Sequence, residues 1–235
     1  HMGLQTVTWL VDGELLHLDS LGSEQLIRPG QLNLMTAGRG VAHAEEDPGR
    51  SSRLHAVQLW VAQPEATRHG EAAFEHHAAL PVAELEGASI TVLVGEVAGA
   101  SSPARRDTDH VGAELVLRAP GATVPLRAEH EHALLVLEGA LRVVGGPDDA
   151  VAEPGVLAYL GEGRDELALA VAGPTRALLL GGVPFPEPVF MWWNFVARRR
   201  DEVSEARRQW SERDPRFGMV RSSLGRIEVG PPPWE

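Results

Sequence analysis

The sequence predicts an all-β protein in which two similar β-barrels follow one another along the chain. The composition supports this fold class, because 25 glycines and 17 prolines separate short runs rich in valine and leucine, a pattern typical of strands joined by turns. A repeat of turn positions between the two halves indicates the tandem arrangement. A periodic apolar pattern near the C-terminus predicts one short helix.

The composition also limits the classes of function. The formal net charge of -12 and a pI of about 5.3 argue against direct binding to nucleic acid or to an anionic membrane, whereas protein partners stay open. The absence of cysteine excludes disulfides and thiolate ligands. With no apolar run of spanning length and no secretory signal at the start of the sequence, we expect a cytoplasmic protein.

In the first half, strands are predicted wherever β-prone residues alternate between turn signals. Asp12-Gly13, within the β-prone run from Thr6 to Leu18, favours a hairpin. The segment at 64–81, with His69, His76 and His77, is polar and is predicted to be a solvated connection. The other predicted strands lie at residues 24–28, 31–35, 54–61, 89–97 and 113–117.

The turn glycines of the first half recur in the second half at a nearly constant distance. The corresponding pairs are Gly13 and Gly139, Gly30 and Gly155, and Gly38 and Gly163. The last two pairs have the same separation and the first differs by one residue. Self-similarity of this kind indicates two copies of one strand-turn-strand unit.

A histidine and a glutamate stand one residue apart just after the glycine turn at 38–40. Residues i and i+2 of a strand face the same side, so the side chains of His43 and Glu45 are expected to lie together. Imidazole and carboxylate suit Fe, Ni, Co, Cu or Zn, although a surface histidine beside a solvated glutamate gives the same pattern. The second copy has Ala168 and Ala170 at the corresponding positions.

The second copy contains a different histidine pair, His130 and His132. A His-x-His spacing often serves metals, but this pair lies at the wrong distance from Gly139 for the repeat. No histidine or glutamate stands at the corresponding downstream positions, Ala168 and Ala170, to complete a ligand set. We therefore expect no second metal site.

The last part of the chain changes character after Gly181-Gly182. Residues 189–196 are apolar and aromatic and are predicted to be extended and packed on a barrel. A helix is predicted from Asp201 to Arg213, with Asp201 as its N-cap. Its apolar stripe, at spacings of three and four, consists of Val203, Ala206 and Trp210.

The predicted organisation is therefore two domains. An N-terminal barrel with the metal site is expected at residues 1–110. A C-terminal barrel without metal is expected at residues 111–235, followed within the same domain by the helix and an extended tail.

Several motifs together resemble one known family. They are Thr6-Val7-Thr8-Trp9-Leu10 with Gly13-Glu14, Ile27-Arg28-Pro29-Gly30, Met35-Thr36-Ala37-Gly38-Arg39-Gly40 with His43 and Glu45, and Leu54-His55 with Gln58-Leu59-Trp60-Val61. These motifs resemble the pirin family, whose members are bicupins of the cupin superfamily. The resemblance covers essentially the whole chain. It implies two tandem antiparallel cupin (jelly-roll) β-barrels with a metal in the N-terminal one.

The resemblance also implies a ligand set of three histidines and one glutamate. His43 and Glu45 match two members of this set, and His1 matches a third by its distance from Gly13. The remaining histidine is absent from the sequence. Either the natural chain continues upstream with that histidine, or His1-Met2 is a cloning remnant and the metal site is incomplete.

The activity that the resemblance implies is that of a quercetin 2,3-dioxygenase. One divalent transition metal, with iron expected and Ni, Co, Cu, Mn or Zn as alternatives, would be held by His1, His43 and Glu45 and would bind a small aromatic or flavonol-like substrate. Glu45 is the expected catalytic residue. The residues expected to orient the ligands by hydrogen bonds are Gln5, His55 and Gln58.

One departure from the family pattern and two alternatives to the dioxygenase interpretation remain open. Gln5 stands where many family members have glutamate, so a base is replaced by a neutral amide. The alternative function is that of a non-enzymatic, metal-dependent regulatory pirin that binds other proteins, and a third is a cupin whose site no longer holds metal. A monomer is expected.

Overall fold

The computed structural model describes residues 1–49, 53–145 and 151–235. It divides into two compact units: unit 1 consists of His1–Ala79 with Pro186–Glu235, and unit 2 of Leu80–Phe185. This division differs from the predicted boundary after residue 110, because the C-terminal segment with the helix packs with the first part of the chain. Within the described residues, no helix is long and apolar enough to cross a membrane.

Short strands account for most of the regular structure. In chain order they are β1 (Leu4–Asp12), β2 (Leu15–Asp19), β3 (Glu24–Ile27), β4 (Leu32–Thr36), β5 (His43–Glu46), β6 (His55–Ala62), β7 (Ala73–His77), β8 (Val82–Leu85), β9 (Ala88–Val94), β10 (Glu96–Val97), β11 (Ala100–Ser101), β12 (His110–Leu117), β13 (Gly121–Pro125), β14 (Glu131–Glu138), β15 (Leu141–Val143), β16 (Val151–Ala152), β17 (Leu157–Gly161), β18 (Glu166–Ala170), β19 (Thr175–Gly182), β20 (Phe190–Trp192) and β21 (Phe195–Ala197). One α-helix, α1, covers Arg200–Ser211, and a 3-10 turn covers Pro215–Phe217.

Unit 1 is built on two antiparallel sheets, with strand orders β6-β1-β4-β7 and β3-β2-β5. The predicted hairpin at Asp12-Gly13 is wrong, because β1 pairs with β4 and β6 while β2 pairs with β3 and β5. The chain crosses between the sheets at this point. Gly13 has a φ of +87°, and a Cβ there would lie 2.4 Å from the carbonyl oxygen of Arg53, so close backbone approach explains the glycine.

The segment at 64–81 is more ordered than predicted. It contains β7, which pairs with β4 at the edge of the sheet. The imidazole Nδ1 of His76 is 2.8 Å from the Asn33 amide oxygen, and His77 contacts Glu75. Polar residues are tolerated here because an edge strand has one side without a neighbouring strand.

Unit 2 repeats the topology of unit 1, which confirms the internal repeat. β14 pairs with β17 and β19 as β1 pairs with β4 and β6. β15 pairs with β16 and β18 as β2 pairs with β3 and β5. The glycines that defined the repeat all have positive φ: Gly13, Gly30, Gly38, Gly139, Gly155 and Gly163.

The C-terminal segment packs on unit 1 through an apolar cluster. Residues 189–196 fold mainly as the hairpin of β20 and β21, and the fully buried Phe195 packs in one cluster with Met2 and Ala42. The apolar stripe of the helix is confirmed, since its three members are the buried residues of α1: Val203, Ala206 and Trp210. Asp201 lies in the first turn and is not the N-cap, which is Arg199.

Two buried arginines connect this segment to the rest of unit 1. The guanidinium of Arg68, only 6% exposed, donates hydrogen bonds to Glu65 and, at 3.1 Å, to Glu202 of α1. Arg198 donates to Glu187 of its own segment and to the backbone carbonyl of Gln63, which makes the connection. Burial raises the pKa of Glu202, but hydrogen bonds from the Arg198 backbone and the Arg68 side chain outweigh it, so the pKa lies below its ordinary value of 4.5.

We predict that Arg68→Met lowers the free energy of unfolding at pH 7 by about 2 kcal/mol, because Glu202 loses its buried partner while remaining partly solvated. A carboxylate with a lowered folded-state pKa stabilises the protein above its unfolded pKa and loses this effect as the pH falls. The difference in the free energy of unfolding between wild type and Arg68→Met should therefore become smaller below pH 4.5. Urea denaturation of both proteins at pH 7 and pH 4 measures this difference.

The matched control is Arg199→Met, because the exposed Arg199 pairs with Asp201 at the surface. This variant should change stability little at either pH. An Arg68→Met protein as stable as wild type at pH 7 would contradict a stabilising role of the buried pair.

Candidate metal centre

Strands β2 and β5 bring potential metal ligands together in unit 1. Their antiparallel register places His17 opposite Glu45 and Asp19 opposite His43, and residues two apart share a face. The ligand atoms of His17, His43 and Glu45 all lie within 4.8 Å of one another. In the part of the chain that the structure describes, this is the one group of three such side chains at that spacing.

His1 adds a further imidazole to this cluster. Its Nε2 lies 2.9 Å from the Nε2 of His43, and the residue is buried. The backbone holds it there, because the Val41 amide donates to the His1 carbonyl and the Gly3 amide donates to the Gly38 carbonyl. Of the three predicted ligands, His43 therefore contacts His1 and also belongs to the 4.8 Å group with Glu45.

The donor set fits a divalent transition metal. Fe, Ni, Co, Cu, Mn and Zn all bind imidazole and carboxylate ligands. The imidazole nitrogens of His1 and His43 already lie 2.9 Å apart. Burial, together with the neighbouring charge of His17, lowers the pKa of His43 to about 3. Its imidazole is consequently neutral at physiological pH, which is the form that binds a metal.

Glu45 is positioned by Gln58 of the neighbouring sheet. The amide nitrogen of Gln58 donates to the Glu45 carboxylate at 2.8 Å and to the Thr8 hydroxyl at 3.1 Å. Burial raises the pKa of Glu45, with His17 and the hydrogen bonds from Gln58 and Thr8 opposing it. A carboxylate with a raised pKa is a better proton acceptor near neutral pH.

His17 is the site residue that the predicted ligand set does not contain. It is 2% exposed, its Nε2 is 3.1 Å from the Asp19 carboxylate, and its ring stacks on Phe74 at a centroid distance of 4.5 Å. Burial raises the pKa of Asp19, but hydrogen bonds from His17 and Ser23 outweigh it and keep the pKa low. An ionised carboxylate of this kind orients the imidazole beside it. The His-x-Asp spacing within a predicted strand was the available sequence signal.

Two predicted orienting residues lie away from the cluster. By strand alternation, Gln5 is on the opposite face of β1 from Thr8, and His55 is on the opposite face of β6 from Gln58. The Gln5 amide donates to the Thr36 hydroxyl at 2.9 Å. Gln58, in contrast, donates to a candidate ligand, Glu45.

The histidine pair of unit 2 is arranged differently. His130 and His132 are buried at the start of β14, with ring centroids 5.9 Å apart. The His130 Nε2 is 3.6 Å from the Asp109 carboxylate. Within the described residues this pair has no third ligand at metal-binding spacing.

The glycine turn at 38–40 positions the start of β5, the strand that carries His43 and Glu45. Gly38 has a φ of +52°, and a Cβ there would lie 2.2 Å from the carbonyl oxygen of Gly70. The next amide, of Arg39, donates to the same carbonyl at 2.9 Å. The close approach of these two backbone segments therefore requires glycine at position 38.

Comparison with known proteins identifies the family. The Pirin family profile matches residues 1–61, and the Pirin C-terminal cupin domain profile matches residues 114–218. A candidate quercetin 2,3-dioxygenase of Pseudomonas aeruginosa, PA1205, is 46% identical over 100% of this chain and 74% of its own length. The chain belongs to the pirin family. Human pirin is 30% identical over 98% of this chain and 80% of its own length.

Solved structures show the same relationship and the bicupin fold. A quercetin 2,3-dioxygenase from Acinetobacter baumannii superposes with a TM-score of 0.94 at 41% identity, covering 100% of this chain and 78% of that one. The bacterial pirin YhhW from Escherichia coli, solved in complex with nickel(II), has a TM-score of 0.63 at 20% identity, covering 79% and 75%. The second likeness shows the fold alone.

We predict that Gly38→Ala destabilises this pirin more than Gly30→Ala. Both glycines have positive φ, but a Cβ at Gly30 meets nothing within 4 Å. Gly30→Ala should therefore lower the free energy of unfolding by only about 1 kcal/mol, because alanine is strained in the left-handed backbone conformation. Gly38→Ala should lower it further, because the new Cβ also clashes with the Gly70 carbonyl. Thermal unfolding of both variants measures the difference, and equal costs would show that crowding at Gly38 is unimportant.

We predict that His43→Ala and Glu45→Ala each abolish bound metal, measured by elemental analysis after reconstitution and desalting. His17→Ala should lower the metal content as well, since it removes a neighbouring imidazole. His130→Ala is the matched control, because it deletes a buried histidine of unit 2. Equal metal content in all four variants would be incompatible with a metal centre in unit 1.

Proposed function

We propose that this pirin is a metal-dependent dioxygenase that opens the ring of a flavonol such as quercetin. The observation that carries the proposal is the cluster of imidazoles around one carboxylate: His1, His17, His43 and Glu45. The likeness to PA1205, named for this activity, supports the substrate class. The same activity is named for the Acinetobacter structure at 41% identity.

His1, His43 and Glu45 would hold one divalent transition metal, with His17 beside them. Iron is the proposed metal, and Ni, Co, Cu, Mn and Zn are the alternatives that the same donors accept. When bound, the metal supplies Lewis acidity that lowers the pKa of a coordinated substrate hydroxyl.

The protein's own side chains account for the handling of the proton. Glu45 accepts the proton of the flavonol hydroxyl at its carboxylate, and burial favours this transfer by raising the pKa of Glu45. Gln58 holds the carboxylate in place through its hydrogen bond. Asp19 holds the His17 ring, and Phe74 covers one face of that ring. These contacts keep the reacting groups in a fixed arrangement.

The proposal predicts oxygen uptake when iron- or nickel-loaded protein is mixed with quercetin, together with loss of the flavonol absorbance. Glu45→Gln should reduce this rate by about 100-fold or more, because it removes both the proton acceptor and a proposed metal ligand. An oxygen electrode and a spectrophotometer record both signals.

Glu46→Gln is the matched control for this experiment. Glu46 is the next residue of β5 and accepts hydrogen bonds from Ser222 and Ser223, so its loss should leave the rate within about threefold of wild type. If fully loaded wild-type protein consumes no oxygen and leaves the flavonol spectrum unchanged, the dioxygenase proposal is wrong.

A further inference from the structure

One large aromatic side chain stands exposed beside the metal cluster. Trp60 lies on the same face of β6 as Gln58, the residue that holds Glu45. Its ring is 5.3 Å from the ring of His1, and the two planes are nearly perpendicular, at 86°. Trp60 is 40% exposed and is the most exposed of the described tryptophans.

The indole of Trp60 is held in position although it is exposed. Its Nε1 donates a hydrogen bond of 3.3 Å to the amide oxygen of Gln58. The amide nitrogen of the same Gln58 donates to Glu45 and to Thr8. These bonds set the orientation of the amide, and the His1 ring packs against the indole. Binding a ligand on this indole therefore costs little side-chain entropy.

The surroundings of Trp60 favour a flat apolar partner. The neighbour on the same face of β6 beyond Gln58 is Ala56, whose small side chain leaves space along the strand. The indole N–H already donates to Gln58, so a ligand would contact the π face of the ring. Aromatic rings prefer offset stacking on such a surface.

We propose that Trp60 is the stacking surface for a planar aromatic ring of the substrate and so determines specificity for aromatic over aliphatic chelating ligands. The inference rests on the proposed function for the identity of the substrate. It adds the residue that would recognise the aromatic part of the molecule, whereas the cluster recognises the adjacent oxygens. A chelating ligand without a ring, such as oxalate, would not use Trp60.

Binding to metal-loaded protein without oxygen tests the proposal separately from turnover. Quercetin is titrated into wild type, Trp60→Ala, Trp60→Phe and the control Trp192→Phe, and its absorbance shift gives Kd. Trp192 belongs to the C-terminal hairpin and donates to the Gly230 carbonyl. Oxalate binding is measured in parallel by competition, and metal content is determined for each variant.

We expect Trp60→Ala to raise the Kd for quercetin by about tenfold, since stacking and apolar burial are both lost. Trp60→Phe, which keeps a ring, should stay within about threefold of wild type, as should Trp192→Phe. Oxalate should bind all four proteins alike, and all should hold the same amount of metal.

Three results would overturn the assignment. They are an unchanged Kd for quercetin in Trp60→Ala, an equal loss of oxalate and quercetin binding, and a fall in metal content that explains the loss. A wild type that does not bind quercetin would overturn it together with the proposed function. If quercetin binds in a Trp60-dependent way but no oxygen is consumed, the dioxygenase proposal fails and the stacking surface stands.

Discussion

The register between β2 and β5 is the constraint on which the candidate metal centre depends. It places His17 opposite Glu45 and Asp19 opposite His43, and a slip by one residue would turn one strand's polar groups to the other face. The ladder continues beyond the strands, because the Ser20 amide donates to the Ala42 carbonyl and the Ser20 hydroxyl accepts from the Ala42 amide. Main-chain bonding thus aligns the side chains before any ion is present.

The cluster draws on the other sheet of unit 1 as well. β1 and β6 pair in a register that sets Thr8 opposite Gln58, and Gln58 reaches Glu45 from there. Backbone hydrogen bonds join His1 and Gly3 to Val41 and Gly38 in the segment before β5. Three separate backbone segments therefore determine the position of one carboxylate and its neighbouring imidazoles, which suits a centre that needs fixed ligands.

The sequence predicted those features that follow from local spacing. The shared face of His43 and Glu45 follows from strand alternation, and the repeated glycines predicted that both units share one topology. Partners that are distant along the chain could not be predicted in this way. The Asp12-Gly13 turn signal says nothing about which sheet the next strand joins. His17 gained its role only through pairing with β5, and the stripe of α1 does not indicate which surface it covers.

The return of residues 186–235 to unit 1 has a consequence for synthesis of the protein on the ribosome. Unit 2 is one continuous stretch, so all of its strands are available before residues 186–235 have been made. Unit 1 lacks Phe195, Trp210 and Phe217 of its apolar cluster until residues 186–235 have been made as well. Of the two units, the one whose sequence begins first is thus the one that completes its folding last.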